Sequence, residues 1–386
     1  MPTRRAFLGG LATLPLLPRV ALAGRGAGEA RLVVLILRGG MDGLAAIPAV
    51  GDPHFRSARG AAVGPDETSA LDGTFALHPG LAPLLPLWKA DELAIVHAVG
   101  TPYLERSHFD AQDVLETGLT TPMASRSGWL NRALLGIDAD AARAMALGRT
   151  VPRLLQGDAP VTSADPTREV RPQDAFLAKV SELYRRDVAF DRAMQDALRA
   201  QAMLAKARGS TEMALVAGRG RADTQRVSQI MGAVLADPGG PRVAVAELSG
   251  WDTHVGQDGA LTRQLGALAD AIVALQETMG SVWEHTVVCA VSEFGRTVAG
   301  NGTGGTDHGT GGAALLAGGA LRGGRVYADW PGLAPSALLE GRDLRPTTDI
   351  RAVFKGLLRD HLGVPEGHLE RVVFPDSATI EALRLV

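Results

Sequence analysis

The sequence predicts an α/β protein, a three-layer α/β/α sandwich built around a mostly parallel sheet. Two observations predict it. Short, predominantly apolar runs recur along the chain, the pattern of strands buried on both faces. Long segments of helical period lie between them, and strands alternating with covering helices build a parallel sheet.

The first run is Arg31-Leu-Val-Val-Leu-Ile-Leu37, stopped by Gly39-Gly40. Others follow at Leu93–Ala98, Arg242–Leu248 and Thr286–Ser292. Leu261, Leu265, Leu268, Ile272 and Leu275 share one face at helical spacing and predict a helix over Gly259–Met279. A second helical stretch, rich in Ala, Arg, Leu and Glu, is predicted over Asp174–Ala207, and a closing helix over Arg351–Leu362. Residues 122–241 carry helical signals and few strand signals, so a helical cap is expected there, inserted into an α/β domain over 24–386. Gly300–Gly312 reads as a loop, because strand-like sequence resumes at Ala313–Ala317.

Composition narrows the function classes. With 46% hydrophobic residues and a net charge of −3, the chain of 386 residues is globular, with material for a large core. The near-neutral balance argues against nucleic acid as the main partner, since phosphate binding needs a concentrated basic surface. Cys289 is the sole cysteine, which excludes an intramolecular disulfide and reads as a small buried hydrophobe. No stretch is apolar for long enough to span a bilayer stably.

The N-terminus reads as an export address. Arg4-Arg5 precedes Phe7-Leu8, an apolar stretch runs on to Leu17, and Ala21-Leu22-Ala23 offers small residues for cleavage. A twin-arginine signal peptide is therefore expected over 1–23, with the twin-arginine translocase as a partner during export. The mature chain then begins near Gly24, in the periplasm or outside the cell.

Ligands of open parallel sheets bind at the carboxyl ends of the strands. The segments expected there are rich in acids and histidines. They are Arg38-Gly-Gly-Met-Asp42, Arg106-Ser-His-Phe-Asp110, Gly250-Trp-Asp-Thr-His254, Glu293-Phe-Gly-Arg296 and Thr306-Asp-His308. Asp, Glu and neutral His are ligands for zinc, manganese, magnesium or calcium. Asp42, Asp252, His254, Glu293, Asp307 and His308 are the candidate metal ligands. Paired ions clamp the attacking and leaving oxygens of an ester, and Ser107 at a helix head is the candidate nucleophile. Arg296 is a candidate for the oxyanion, and Arg38, Arg106 and His108 are candidates for binding a small anionic ester. Each has a structural alternative: Asp42 as a turn residue, Ser107 with Asp110 as a helix cap, Asp252 with His254 as a buried hydrogen-bonded pair.

Together with the arginine pair, Leu37-Arg-Gly-Gly-Met-Asp-Gly-Leu44, Arg106-Ser-His-Phe-Asp-Ala-Gln112, Gly250-Trp-Asp-Thr-His254, Ser292-Glu-Phe-Gly-Arg-Thr297 and Thr306-Asp-His-Gly309 resemble the secreted bacterial family called domain of unknown function 1501. The resemblance runs from about Arg31 to Leu362. That family is similar in outline to the alkaline phosphatase and sulfatase superfamily. The resemblance implies an alkaline-phosphatase-like sandwich with metal at the strand ends. It implies that Asp42 is the first metal-binding aspartate, Ser107 the nucleophile, Asp252 and His254 a ligand pair, and His308 the late histidine of a metal shell. Two departures stand out. Asp252 and His254 are closer in sequence than the superfamily's pair, and Phe294 follows Glu293 where a histidine is customary. Two functions follow as expectations: a metal-dependent hydrolase of phosphate or sulfate esters, or a non-catalytic secreted protein that keeps the fold. A carbohydrate hydrolase with facing carboxylates is the third reading, and it leaves the histidines without a task.

Overall fold

The computed structural model describes residues 29–60, 67–138, 143–166, 174–209 and 221–386. The expected signal peptide lies outside the described residues. The strands are β1 (Arg31–Arg38), β2 (Ser69–Ala70), β3 (Ala76–Leu77), β4 (Leu93–Gly100), β5 (Ala144–Leu147), β6 (Val161–Ala164), β7 (Val243–Ser249), β8 (Thr286–Val291), β9 (Gly312–Ala317), β10 (Arg325–Tyr327) and β11 (Thr348–Asp349). Among the described residues, nine of these form one sheet in the order β10-β4-β9-β8-β1-β7-β5-β6, with β11 continuing along β4. β2 and β3 make a separate hairpin.

The pairing is parallel throughout the sheet except at β9, which runs against both β4 and β8. This reversal matters for the site. The chain leaves the carboxyl end of β8 at Val291 and enters β9 at Gly312, so both ends of the intervening loop lie at one edge of the sheet. That edge also holds the carboxyl ends of β1 and β7, which flank one another in register.

The alternation within strands assigns the layers. Val33, Leu35 and Leu37 of β1 point into one apolar cluster, with Leu261, Leu265, Leu268 and Ile272 of helix Gln257–Met279. Leu32, Val34 and Ile36 point into the other, with Trp129 of helix Trp129–Leu134 and Phe354 of helix Ile350–Gly356. A strand whose two faces are both covered has no polar side, which is why β1 and β8 read as apolar runs and β4 as one interrupted only by His97. Cys289 sits in β8 with its thiol pushed up to about 12 by burial, as an inert core residue.

Three expectations are refined. The predicted 174–207 helix is two, Asp174–Tyr184 and Val188–Gly209. The closing helix is α-helical over Ile350–Gly356 and widens to a π-helical turn over Leu357–His361. Residues 122–241 include helices such as Arg221–Ala236, yet they also supply β5 and β6, which extend the main sheet beyond β7. Both strands are four residues long, too short to print a strand pattern on the sequence. No helix among the described residues is long and apolar enough to cross a membrane.

Candidate metal centre

Four segments meet at the carboxyl edge. β1 ends in Gly39 and Gly40, whose φ values of +126° and +73° let the chain turn where other residues are strained. There is no space for a side chain either. A Cβ on Gly39 would lie 2.5 Å from the Asp252 nitrogen, and one on Gly40 2.4 Å from the Phe294 ring. β7 delivers Asp252 and His254, the loop between β8 and β9 delivers Glu293, Arg296, Asp307 and His308, and helix His108–Thr117 presents His108 from its first turn.

Arg296 ties these segments. It is 1% exposed and donates to the carbonyls of Gly39, Gly40 (2.6 Å), Trp251 (3.0 Å) and Thr306 (3.1 Å), and to Asp252 Oδ1. The sequence suggested a group for an oxyanion; here its donors are taken up by the protein itself. Burial pushes the Asp252 carboxyl up, but the Arg296 guanidinium outweighs it and holds Asp252 below the usual carboxylate range.

His108, Asp252 and His308 each turn one ligand atom inward, and these atoms lie within 4.8 Å of one another. His108 Nδ1 meets Glu293 Oε1 at 2.8 Å, His308 Nδ1 meets the Arg106 carbonyl at 3.2 Å, and His254 Nδ1 meets Asp307 Oδ1 at 3.3 Å. A carbonyl only accepts, as does an ionised carboxylate, so each Nδ1 is the protonated, donating nitrogen. In the neutral ring each Nε2 then carries a lone pair, and that of His254 faces the Arg296 Nη1 donor at 3.5 Å. Those lone pairs converge: His308 Nε2 lies 2.9 Å from His254 Nε2 and 3.3 Å from Asp252 Oδ1, which is 3.0 Å from His254 Nε2. His108 Nε2 is buried, lacks a hydrogen-bond partner among the described residues and lies 3.5 Å from Asp252 Oδ2. Acceptors facing acceptors repel unless a cation or a shared proton sits among them. The residues therefore fit a divalent ion, with two imidazoles and a carboxylate converging and a third imidazole beside them.

The supports behind His108 and His254 are carboxylates and the one behind His308 is a backbone carbonyl, both usual for metal-binding histidines. Glu293 is fully buried and accepts from His108, from the Gly39 N–H (2.9 Å) and from Gln112 Nε2 (3.0 Å). Burial pushes its carboxyl up, yet these hydrogen bonds prevail and keep it below the usual range. The Glu293 bond in turn raises the pKa of His108, while burial, His108 in its protonated form and the Arg296 guanidinium lower that of His308. Asp307 is held low chiefly by Asn301, which donates to Oδ1 at 3.1 Å. Phe294 packs against the rings of His108 (4.8 Å) and His308 (4.9 Å) and so walls the centre.

Other expected residues lie differently. Asp42 is buried, and its carboxylate accepts from Ala45 N, Arg59 (2.8 Å) and Gln257 (2.7 Å) rather than facing the three histidines. Arg38 is bound by Glu116 and Glu247, and Arg106 by Asp343 and Glu340 (both 2.7 Å), so each guanidinium is already neutralised by two carboxylates. Ser107 occupies the N-cap position with no side-chain cap bond. Sequence reasoning passed over Gln112, although it lies one helical turn after His108 and shares its face. Nothing in the sequence marked Gln257 or Asn301.

A cavity of about 500 Å³ adjoins the centre, walled by Ala58, Asn301, Asp307, Leu338 and Arg342 among others. Asp307 joins the two, since its Oδ1 meets His254.

A family model described as "Protein of unknown function (DUF1501)" matches residues 69–372. No curated protein matches the chain. Solved structures similar to it include the C-terminal periplasmic domain of EcEptC from Escherichia coli, in complex with zinc. That likeness has 12% identity, 75% of this chain and 73% of that chain covered, and a TM-score of 0.36. Another is a phosphonate monoester hydrolase of Agrobacterium radiobacter, at 13% identity, 87% and 74% coverage and a TM-score of 0.35.

Proposed function

This chain belongs to the DUF1501 family, and from the site it carries we propose that it is a metal-dependent hydrolase of phosphate or sulfate esters, exported by the twin-arginine route to the periplasm or beyond. The carrying observation is the convergence of His108, His254 and His308 Nε2 on the Asp252 carboxylate, with His108 Nε2 buried and without a hydrogen-bond partner among the described residues. His108, Asp252, His308 and His254 would hold the ion. When bound, a divalent ion supplies Lewis-acid polarisation of an ester oxygen and acidifies an attacking group. Glu293 and Asp307 fix the tautomers of His108 and His254, and Arg296 holds Asp252 in place. The adjoining cavity gives room for the rest of an ester. The motifs' resemblance to the alkaline phosphatase and sulfatase superfamily supports the substrate class. The paired arginines and the Ala21-Leu22-Ala23 site support export.

The test is turnover of aryl phosphate, phosphonate and sulfate esters by protein loaded with zinc, manganese, magnesium or calcium, beside His108→Ala and Ser107→Ala. Metal-dependent turnover lost in His108→Ala is expected. In Ser107→Ala, near-complete loss assigns the attack to that hydroxyl, and retained turnover assigns it to water. Metal binding without turnover of any of the three ester classes overturns the hydrolase reading in favour of a binding protein.

A further inference from the structure

Beneath the centre runs a chain of buried polar groups that sequence reasoning did not connect. Arg59 Nη2 donates to Asp42 Oδ2 at 2.8 Å, and Gln257 Nε2 donates to the same oxygen at 2.7 Å. Gln257 Oε1 accepts from two hydroxyls, Thr253 at 2.9 Å and Thr306 at 2.6 Å. All five residues are at most 4% exposed. Thr253 lies between Asp252 and His254, and Thr306 lies two residues before His308. The two loops also meet directly, through Thr306 N and the Thr253 carbonyl at 3.3 Å.

The amide of Gln257 has one workable orientation. Its NH₂ must face Asp42, which only accepts when ionised, and its oxygen must face the two hydroxyl donors. Reversing it would set oxygen against carboxylate inside a low-dielectric core. Arg59, which also donates to the Val298 carbonyl at 3.1 Å, keeps the buried Asp42 charge paired. The orientation of one side chain therefore fixes both loops that supply His254, Asp252 and His308.

We propose that Asp42 and Gln257 are positioning residues, a polarised clasp that sets the geometry of the metal centre, and that Asp42 is not itself a ligand. This rests on the metal-site reading above, and it reassigns the residue that the resemblance made the first metal-binding aspartate.

The experiment compares wild type, Asp42→Asn, Gln257→Leu and the charge-conserving pair Asp42→Asn with Gln257→Glu. In the pair, the amide introduced by Asp42→Asn donates to the carboxylate introduced by Gln257→Glu, which still accepts from both threonines and takes over as the counter-charge of Arg59, whose Nη2 gives up its bond to residue 42. Zinc affinity is read by competition with a chromophoric chelator, and the ligand set by the visible spectrum of the cobalt-loaded protein. Amide hydrogen exchange of residues 251–254 and 304–308 is read without metal. A clasp predicts affinity about ten- to hundredfold weaker in each single variant, in the range for supports of metal ligands. It further predicts an unchanged cobalt spectrum, faster exchange in both loops, and recovery of affinity and exchange in the pair. An altered cobalt spectrum in Asp42→Asn, with no recovery in the pair, would make Asp42 a ligand and overturn the proposal. Exchange that stays at the wild-type rate in Gln257→Leu would overturn it as well. If wild type binds no metal, the exchange arm still decides the clasp, and the metal reading alone falls.

Discussion

Removing the guanidinium of Arg296 tests how the centre is assembled. In Arg296→Met a side chain of similar length stays in the core, but the carbonyls of Gly39, Gly40, Trp251 and Thr306 lose their donor and Asp252 loses its counter-charge. A buried acceptor left unsatisfied costs at least about 1 kcal/mol, so the four carbonyls alone set a loss of at least about 4 kcal/mol. That is a large part of the roughly 5–15 kcal/mol that holds a typical domain folded. Urea unfolding followed by tryptophan fluorescence suits the question, because Trp251 lies in the tied segment. Arg296→Lys should recover only part, since a point-like ammonium cannot reach carbonyls spread over three segments. A loss under about 1 kcal/mol, with ester affinity weakened instead, would refute the reasoning and return Arg296 to the role of an anion-binding group.

Three further outcomes are expected. Gly40→Ala should destabilise by about 2–4 kcal/mol, from a positive φ and from a methyl pressed into the Phe294 ring, as measured by thermal or urea unfolding. Glu293→Gln leaves an acceptor for His108 but removes the charge that makes the ring a strong donor of its lone pair. Metal affinity by chelator competition should fall by about tenfold or more. Stability should also fall with pH in a definite window. His97 and His361 are buried neutral, and burial lowers each from 6.5 to about 4. Above 6.5 neither state binds the proton; between 6.5 and about 4 the unfolded chain binds it and the fold refuses it, at up to about 3 kcal/mol for each histidine. His361→Gln, which can keep a donor toward the Arg31 carbonyl, should flatten this part of the curve measured by urea unfolding at successive pH values.

The strands of the core and the segments of the centre were legible for one reason. Each buried run is apolar on both faces and stops abruptly in glycine or acid, so its end is marked in the chain. The direction of β9 was not, because Gly312–Ala317 looks the same in either orientation, and only its pairing with β4 and β8 reverses it. Which acids face the ion was not legible either. Asp42 and Asp252 both follow strands, but Arg59 and Gln257 take one while His108 and His308 turn toward the other. Such partners lie up to 215 residues away in the chain, and local pattern carries no trace of them. Glu293, a candidate ligand from its place after an apolar run, instead accepts from the helix residues His108 and Gln112, which nothing near it in the chain announces.

Metal content is the most direct measurement of the central claim. Wild type and a variant carrying Asp252→Ala and His308→Ala would be purified without chelator or nickel resin, confirmed as folded by circular dichroism, and assayed by elemental mass spectrometry. The convergence of imidazoles on Asp252 predicts about one divalent ion per wild-type chain and none in the variant. A folded wild type that stays empty after incubation with zinc, manganese, magnesium and calcium would contradict it.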